Sequence, residues 1–174
     1  MKRPNIQLVT EQDGQERCKA VALKILAHRW NSAREIETKL ARKGFESELI
    51  AWTMQALQVE GWIDDQRYAE ALVRARARKK LGPQRIKHEL ERAGVSGDVI
   101  SRALAKEQDL AGELERLSAL CSKRIRILQR RSPDELQSAE SRNKLIGYLL
   151  KQGYDYGLVS EVVTRLLKEH KTEL

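Results

Sequence analysis

The side chains whose spacing lets them act together in this 174-residue sequence are cations. Arg67, Arg74 and Arg78 fall on one face of a helix, because residues four and seven apart return to nearly the same side. Lys79, Lys80 and Arg85 extend that positive run towards the next element. Further on, Arg116, Lys123 and Arg130 repeat every seven residues, with Arg126 alongside. Such stripes attract anions, and the formal charge of +8 and pI near 9.6 suit nucleic acid, an acidic protein surface or a membrane surface. A solvated helix face is the ordinary alternative. Poor neutralisation argues against it: Gly61 to Arg92 holds nine Lys/Arg against five Asp/Glu, and Leu110 to Pro133 six against two. Within the first run only Glu70 is placed to pair with an arginine, Arg74, one helical turn away.

Other chemistry finds no frame. The sequence has no G-x-x-x-x-G-K-[ST] loop, G-x-G-x-x-G turn or G-x-S-x-G elbow, so phosphate cradles and acyl transfer are not indicated. His28, His88 and His170 stand apart and are expected as surface or boundary residues. Asp64-Asp65 resembles a metal pair only on paper; neighbours in sequence point apart, and capping a helix accounts for them better. Cys18 and Cys121 are distant from each other, which suggests neither zinc nor a disulfide and fits a reducing cytosol. Trp30, Trp52 and Trp62, with Tyr68, could stack nucleic-acid bases. Their places in or beside apolar stripes favour core or hinge packing instead. No window is long and apolar enough for a signal peptide or a membrane span, so a soluble intracellular protein is expected.

Helices must position the cations. Aromatic content is 5% and charged content 33%, which favours helices with narrow apolar stripes over a β-rich core. Residues 1–15 show no sustained period and are expected as a flexible leader. A helix is expected from Glu16 to near Arg29, with Ala20, Leu23, Ala27 and Trp30 at helical spacing. Ser32-Ala-Arg-Glu35 has the capping-box form, opening a second helix that stops at Gly44. Ser47 is expected to cap a third, ending at Gly61. Asp64 or Asp65 opens the next, which is expected to reach Lys80 with Tyr68, Leu72, Ala75 and the Lys79 stem on its core side, before Gly82 stops it and Pro83 opens its successor. Arg76, also on the core side, is expected to pair with Asp64 or Asp65. Helices over 83–93, 97–107 and 110–131 follow, the last with Leu114, Leu117, Cys121, Ile125 and Leu128 inward. Ser132-Pro133-Asp134-Glu135 is a further start signal for a helix reaching Gln152, before a final one from Asp155 to His170.

A fixed order of residue types recurs three times. Ile36, Ile86 and Leu145 are each followed four residues later by Leu40, Leu90 and Leu149, and four later again by Gly44, Gly94 and Gly153. An apolar residue comes next, Phe45, Val95 or Tyr154. Leu49-Ile50, Val99-Ile100 and Leu158-Val159, then Met54, Leu104 and Val163, keep the same offsets. Ile/Leu pairs one turn apart make a buried stripe, and a glycine past its end takes the left-handed conformation that closes a helix. The expected fold is therefore all-α: three tandem three-helix repeats, over 16–61, 62–108 and 109–174, forming an elongated, curved array.

The runs W-I-D-D-x-R-Y-A-E-A (Trp62 to Ala71), R-x-R-x-R (Arg74 to Arg78) and G-P-x-R-I-x-x-E-L (Gly82 to Leu90) together resemble the RecX family of recombination regulators. S-A-R-E-I-E-x-K-L-x-x-K-G-F (Ser32 to Phe45) and K-L-I-x-Y-L-L-x-x-G-Y (Lys144 to Tyr154) extend the likeness from about Cys18 to Glu169. The leader and the helix Leu110 to Arg131 carry no motif of the family. The resemblance implies a non-enzymatic protein that binds the bacterial RecA recombinase in the helical groove of its filament on single-stranded DNA. There it would block strand exchange, filament growth, ATP turnover and coprotease activity.

The function expected is thus modulation of recombinase filaments by a cytoplasmic monomer, with no catalytic residue, metal or cofactor. Its contact residues, drawn from charge geometry, are Arg67, Arg74, Arg78, Lys79, Lys80, Arg85, Arg116, Lys123, Arg126 and Arg130. The chief rival is a helical module that binds naked nucleic acid directly.

Overall fold

The computed structural model describes residues 6–107, 110–131 and 138–172. The described residues form helices and no strand: α1 (Ile6–His28), α2 (Ala33–Arg42), α3 (Ser47–Val59), α4 (Asp65–Arg78), α5 (Pro83–Arg92), α6 (Gly97–Glu107), α7 (Leu110–Arg131), α8 (Ala139–Lys151) and α9 (Tyr156–Thr172). The fold is an all-α helical repeat array. Equivalent positions of the three repeats behave alike: Ile36, Ile86 and Leu145 are buried, as are Leu40, Leu90 and Leu149. Gly44, Gly94 and Gly153 all have φ between +78° and +92°. In the first two, the glycine N–H bonds three residues back and the next N–H bonds five residues back, Phe45 to Leu40 and Val95 to Leu90. That pattern is a Schellman closure, which needs the left-handed residue.

The chain divides into two compact units, Met1–Ala69 with Leu90–Ile100, and Glu70–Glu89 with Ser101–Leu174, so the cut passes through α4, α5 and α6. In the first unit, α1, α2 and α3 pack on one another around Cys18, Ala22, Ile36, Leu40, Met54, Leu57 and Ile63. In the second, α7, α8 and α9 enclose Leu117, Cys121, Ile125, Leu145, Leu149 and the α9 residues Val159, Val162 and Val163. Their apolar stripes face inward because burying a Leu- or Val-sized side chain contributes roughly 1.5–3 kcal/mol.

Several local expectations differ from what the chain does. α1 starts at Ile6, ten residues ahead of the expected Glu16. Gln, Leu and Glu propagate a helix well, and Gly14 alone does not break it. α3 is capped by Glu46 without a side-chain bond, so Ser47 is its first helical residue, not its cap. The Ser32 capping box is present in both its bonds. Ser138 caps α8, accepting from Ser141 N at 3.1 Å; the start signal at 132–135 lies outside the described residues. Asp155 caps α9, its Oδ1 accepting from Gly157 and Leu158 N.

Candidate functional site

Asp64 positions the start of α4: its Oδ1 accepts from Arg67 N at 3.0 Å, and its other oxygen lies 3.3 Å from Arg67 Nε. Asp65 works elsewhere in the first unit, accepting from Ala33 N at 2.9 Å and so closing an open donor at the head of α2. The two carboxylates cap two different helices.

The inward side of α4 is rotated from the expected one. Tyr68, Ala69 and Val73 are buried, while Ala75 and Lys79 are exposed. Val73 carries more apolar surface than Ala75, and Ala69 is small enough for close approach, so the helix turns these two inward. Arg76 pairs through Nε with Glu89 of α5 at 2.5 Å, not with Asp64 or Asp65.

The cations remain outside. Arg67 has 69% of its side chain exposed, and Arg74 44% with a long 3.8 Å pairing to Glu70. Glu70 also accepts from Lys106 at 2.9 Å, so its charge is shared. Arg78, Lys79, Lys123, Arg126 and Arg130 are exposed as well.

Lys80, Arg85 and Arg116 are placed differently, around a seam of the second unit where the α4–α5 turn meets the α8–α9 turn. Gly82 N donates to Gln152 O at 2.8 Å, and Gln84 N to Gly153 O at 3.0 Å. A Cβ on Gly82 would fall on the Gly153 carbonyl. Gly82 therefore serves close backbone approach, and the left-handed stop of α4 is Lys80 at φ +59°. The Lys80 carbonyl accepts from Tyr154 Oη at 3.1 Å, and Arg85 Nη1 reaches Lys151 O at 3.3 Å.

Arg116 is half-buried, and the expected outward stripe on α7 does not include it: its Nε is buried without a partner. It stands with Glu113 and Tyr154 at a cavity of about 20 Å³ walled by Val73, Leu81 and Ile86. Burial pushes the Glu113 carboxyl above its ordinary range, with Arg116 opposing the shift. Burial also lifts the Tyr154 phenol to about 12. A heptad count cannot tell which cation meets a neighbouring turn, and Arg116 is the one level with Tyr154.

Two features escaped the spacing of residues. Trp30, Trp52 and Trp62 are 58%, 40% and 54% exposed, so of the core or hinge placement expected for them the core part does not hold. In the first unit, Arg29, Arg34, Lys39, Arg42 and Arg92 converge with Glu35 on one cleft. Segment charge hid it, because the cations of α2 are offset in sequence by Glu35 and Glu37, of which only Glu35 lines the cleft. The signal that was present is Arg34, Thr38 and Arg42, one turn apart on a single face.

Comparison with known proteins fits this architecture. A family model described as "RecX, first three-helix domain" matches residues 18–57, and one described as "RecX, second three-helix domain" matches residues 64–104. The chain is similar to "Regulatory protein RecX" of Clostridium perfringens (strain 13 / Type A), 30% identical over 168 residues, spanning 97% of this chain and 77% of the relative. It is similar to the protein of the same description from Mycolicibacterium smegmatis, 31% identical over 151 residues, spanning 86% and 79%. Among solved structures, the crystal structure of RecX from Lactobacillus salivarius superposes with a TM-score of 0.77 at 25% identity, covering 89% of this chain and 97% of that one.

Proposed function

This chain belongs to the RecX family of regulatory proteins, and from that premise we propose that it is a negative modulator of the RecA recombinase. It occupies the groove of the RecA filament on single-stranded DNA, impeding strand exchange, ATP turnover and coprotease activity. It acts in the cytoplasm, as a monomer and without catalysis, metal or cofactor. The observation that carries this reading is the division of α4 and α7 in the second unit. Val73, Leu117, Cys121 and Ile125 are buried, while Arg74, Arg78, Lys123, Arg126 and Arg130 are exposed. Exposed guanidinium groups on rigid helices suit a long acidic assembly, where complementary charge speeds encounter and fixes register. Arg67 at the head of α4 belongs to the same set, and Lys79, Lys80 and Arg85 adjoin it; Arg116 contributes through the Tyr154 seam.

DNA-dependent ATP hydrolysis by RecA, measured with and without this protein, tests the reading. A fall in hydrolysis that persists when single-stranded DNA is in large excess supports action on the filament. Loss of the effect under excess DNA would instead favour the rival, a module that acts by covering naked strand.

A further inference from the structure

A buried donor at the seam of the second unit lacks an acceptor. Arg116 Nε is shielded from solvent, and none of the described residues accepts its proton. Burying the N–H of a charged group without a bond is costly, because its hydration is lost with nothing in exchange, so such donors ordinarily have a partner. Arg116 lines the cavity of about 20 Å³ at this seam. Val73 of α4, Ile86 of α5 and Leu104 of α6 give it apolar walls, while Glu113 of α7 and Tyr154 of the α8–α9 turn bring polar groups. Glu113 and Arg116 stand three residues apart on α7, which puts them on one face.

That volume has room for one water and excludes a phosphate or a nucleotide. A purely apolar cavity stays dry, whereas a buried water typically makes about three hydrogen bonds to polar groups that otherwise lack them. The groups here match in kind. Arg116 Nε–H is a donor, and the Glu113 carboxylate accepts only. Tyr154 Oη gives its own proton to the Lys80 carbonyl at 3.1 Å and keeps its lone pairs for accepting. A water can accept from the first and donate to the other two. A chloride ion could only accept, and it would face the like charge of Glu113.

We infer that this cavity is a built-in water site, in which one water accepts from Arg116 Nε, donates to the Glu113 carboxylate and to Tyr154 Oη, and so pins α7 to the seam. Hydrogen bonds then run from α7 through the water and Tyr154 to the carbonyl at the end of α4. The inference goes beyond the proposed function and stands whatever the cations of α4 and α7 touch, since every group in it belongs to the second unit.

Magnetic relaxation dispersion of oxygen-17 water on the full chain counts the molecules held long enough to tumble with the protein. Arg116→Met keeps the stem and removes the donor, and is expected to lose about one such water relative to wild type. Glu113→Gln is expected to keep it, because the amide oxygen still accepts. Arg126→Met, on an exposed part of α7, is the control and is expected to keep it too. The pinning has its own readout in the amide protons of Gly82 and Gln84, which bond across the seam. Their exchange is expected to quicken about tenfold or more in Arg116→Met and to stay within about threefold of wild type in Arg126→Met. Circular dichroism confirms folding of each variant. Where Arg116→Met does not fold, a wild-type crystal structure at a resolution that shows ordered water carries the test, and density bonded to Arg116 Nε and the Glu113 carboxylate supports the site. Equal water counts in wild type and Arg116→Met would overturn the inference, as would a crystal in which Arg116 Nε donates straight to a protein oxygen. Loss of the water without faster exchange at Gly82 and Gln84 would overturn the pinning. Amide protection at the seam that rises with chloride and not with sulfate, at equal ionic strength, would put an anion in the cavity and overturn the water.

Discussion

A single methyl group separates the tasks of the glycines. At Gly44 an added Cβ would meet nothing, so Gly44→Ala pays only for the left-handed backbone, about 1 kcal/mol. At Gly82 the backbone is ordinary but the Cβ would strike the Gly153 carbonyl, and Gly82→Ala is expected to cost about 2 kcal/mol or more. Urea midpoints that rank Gly82→Ala below Gly44→Ala support the seam, and the reverse order contradicts it. The left-handed glycines were legible because only their type fits a repeated helix stop. Lys80 and Gly82 were not, since lysine rarely takes φ +59° and nothing local announces that Gly153 lies opposite. A second residue-scale expectation concerns alkali. Burial raises the Cys121 thiol to about 11 and the Tyr154 phenol to about 12. Both are neutral when protonated. Above about pH 9 the unfolded chain therefore releases protons that the folded chain keeps, so stability is full below that pH and falls as pH rises towards 11 to 12. Urea midpoints measured between pH 8 and 10.5 should decline, and less steeply in Cys121→Ala.

Between elements, side chains at helix ends do more than close their own helix. Ser32 Oγ accepts from Glu35 N and donates to the Ala93 carbonyl, so Ser32→Ala removes a cap and leaves a buried acceptor unpaired. A loss of about 1–2 kcal/mol in chemical unfolding is expected. A loss below half that would mean the Ala93 bond contributes nothing. The capping box was visible in sequence because its partners are three residues apart. Its second partner, sixty-one residues away, was not. The same limit explains Arg76, whose stem was expected on the core side but whose partner Glu89 comes from another helix. It also explains the cleft: Ser32 to Glu60 is nearly charge-balanced along the chain, and only folding sends Arg34, Lys39 and Arg42 to meet Arg29 and Arg92. The rotation of α4 shows how little a short, alanine-rich helix constrains its own register. A shift of about 100° exchanges one plausible inward set for another.

For the whole molecule, the account rests on cations that the fold leaves outside. The repeat was legible because three copies of an Ile/Leu–Leu–Gly frame impose the same burial and the same helix stop, and the charge of α4 and α7 was legible because those stretches hold more cations than carboxylates. What the cations touch is set by the chemistry of the partner. The most direct measurement is RecA-dependent ATP hydrolysis on single-stranded DNA, titrated with this protein and with its Arg74→Glu, Arg78→Glu double variant. Arg78 and Arg74 are exposed, and the pairing of Arg74 with Glu70 is a long one at 3.8 Å, so the variant should keep its helicity and melt within a few degrees of wild type. It should need at least tenfold more protein for half-maximal inhibition. A variant that inhibits as well as wild type at every concentration would contradict the account, leaving α4 with a charged face that meets only water.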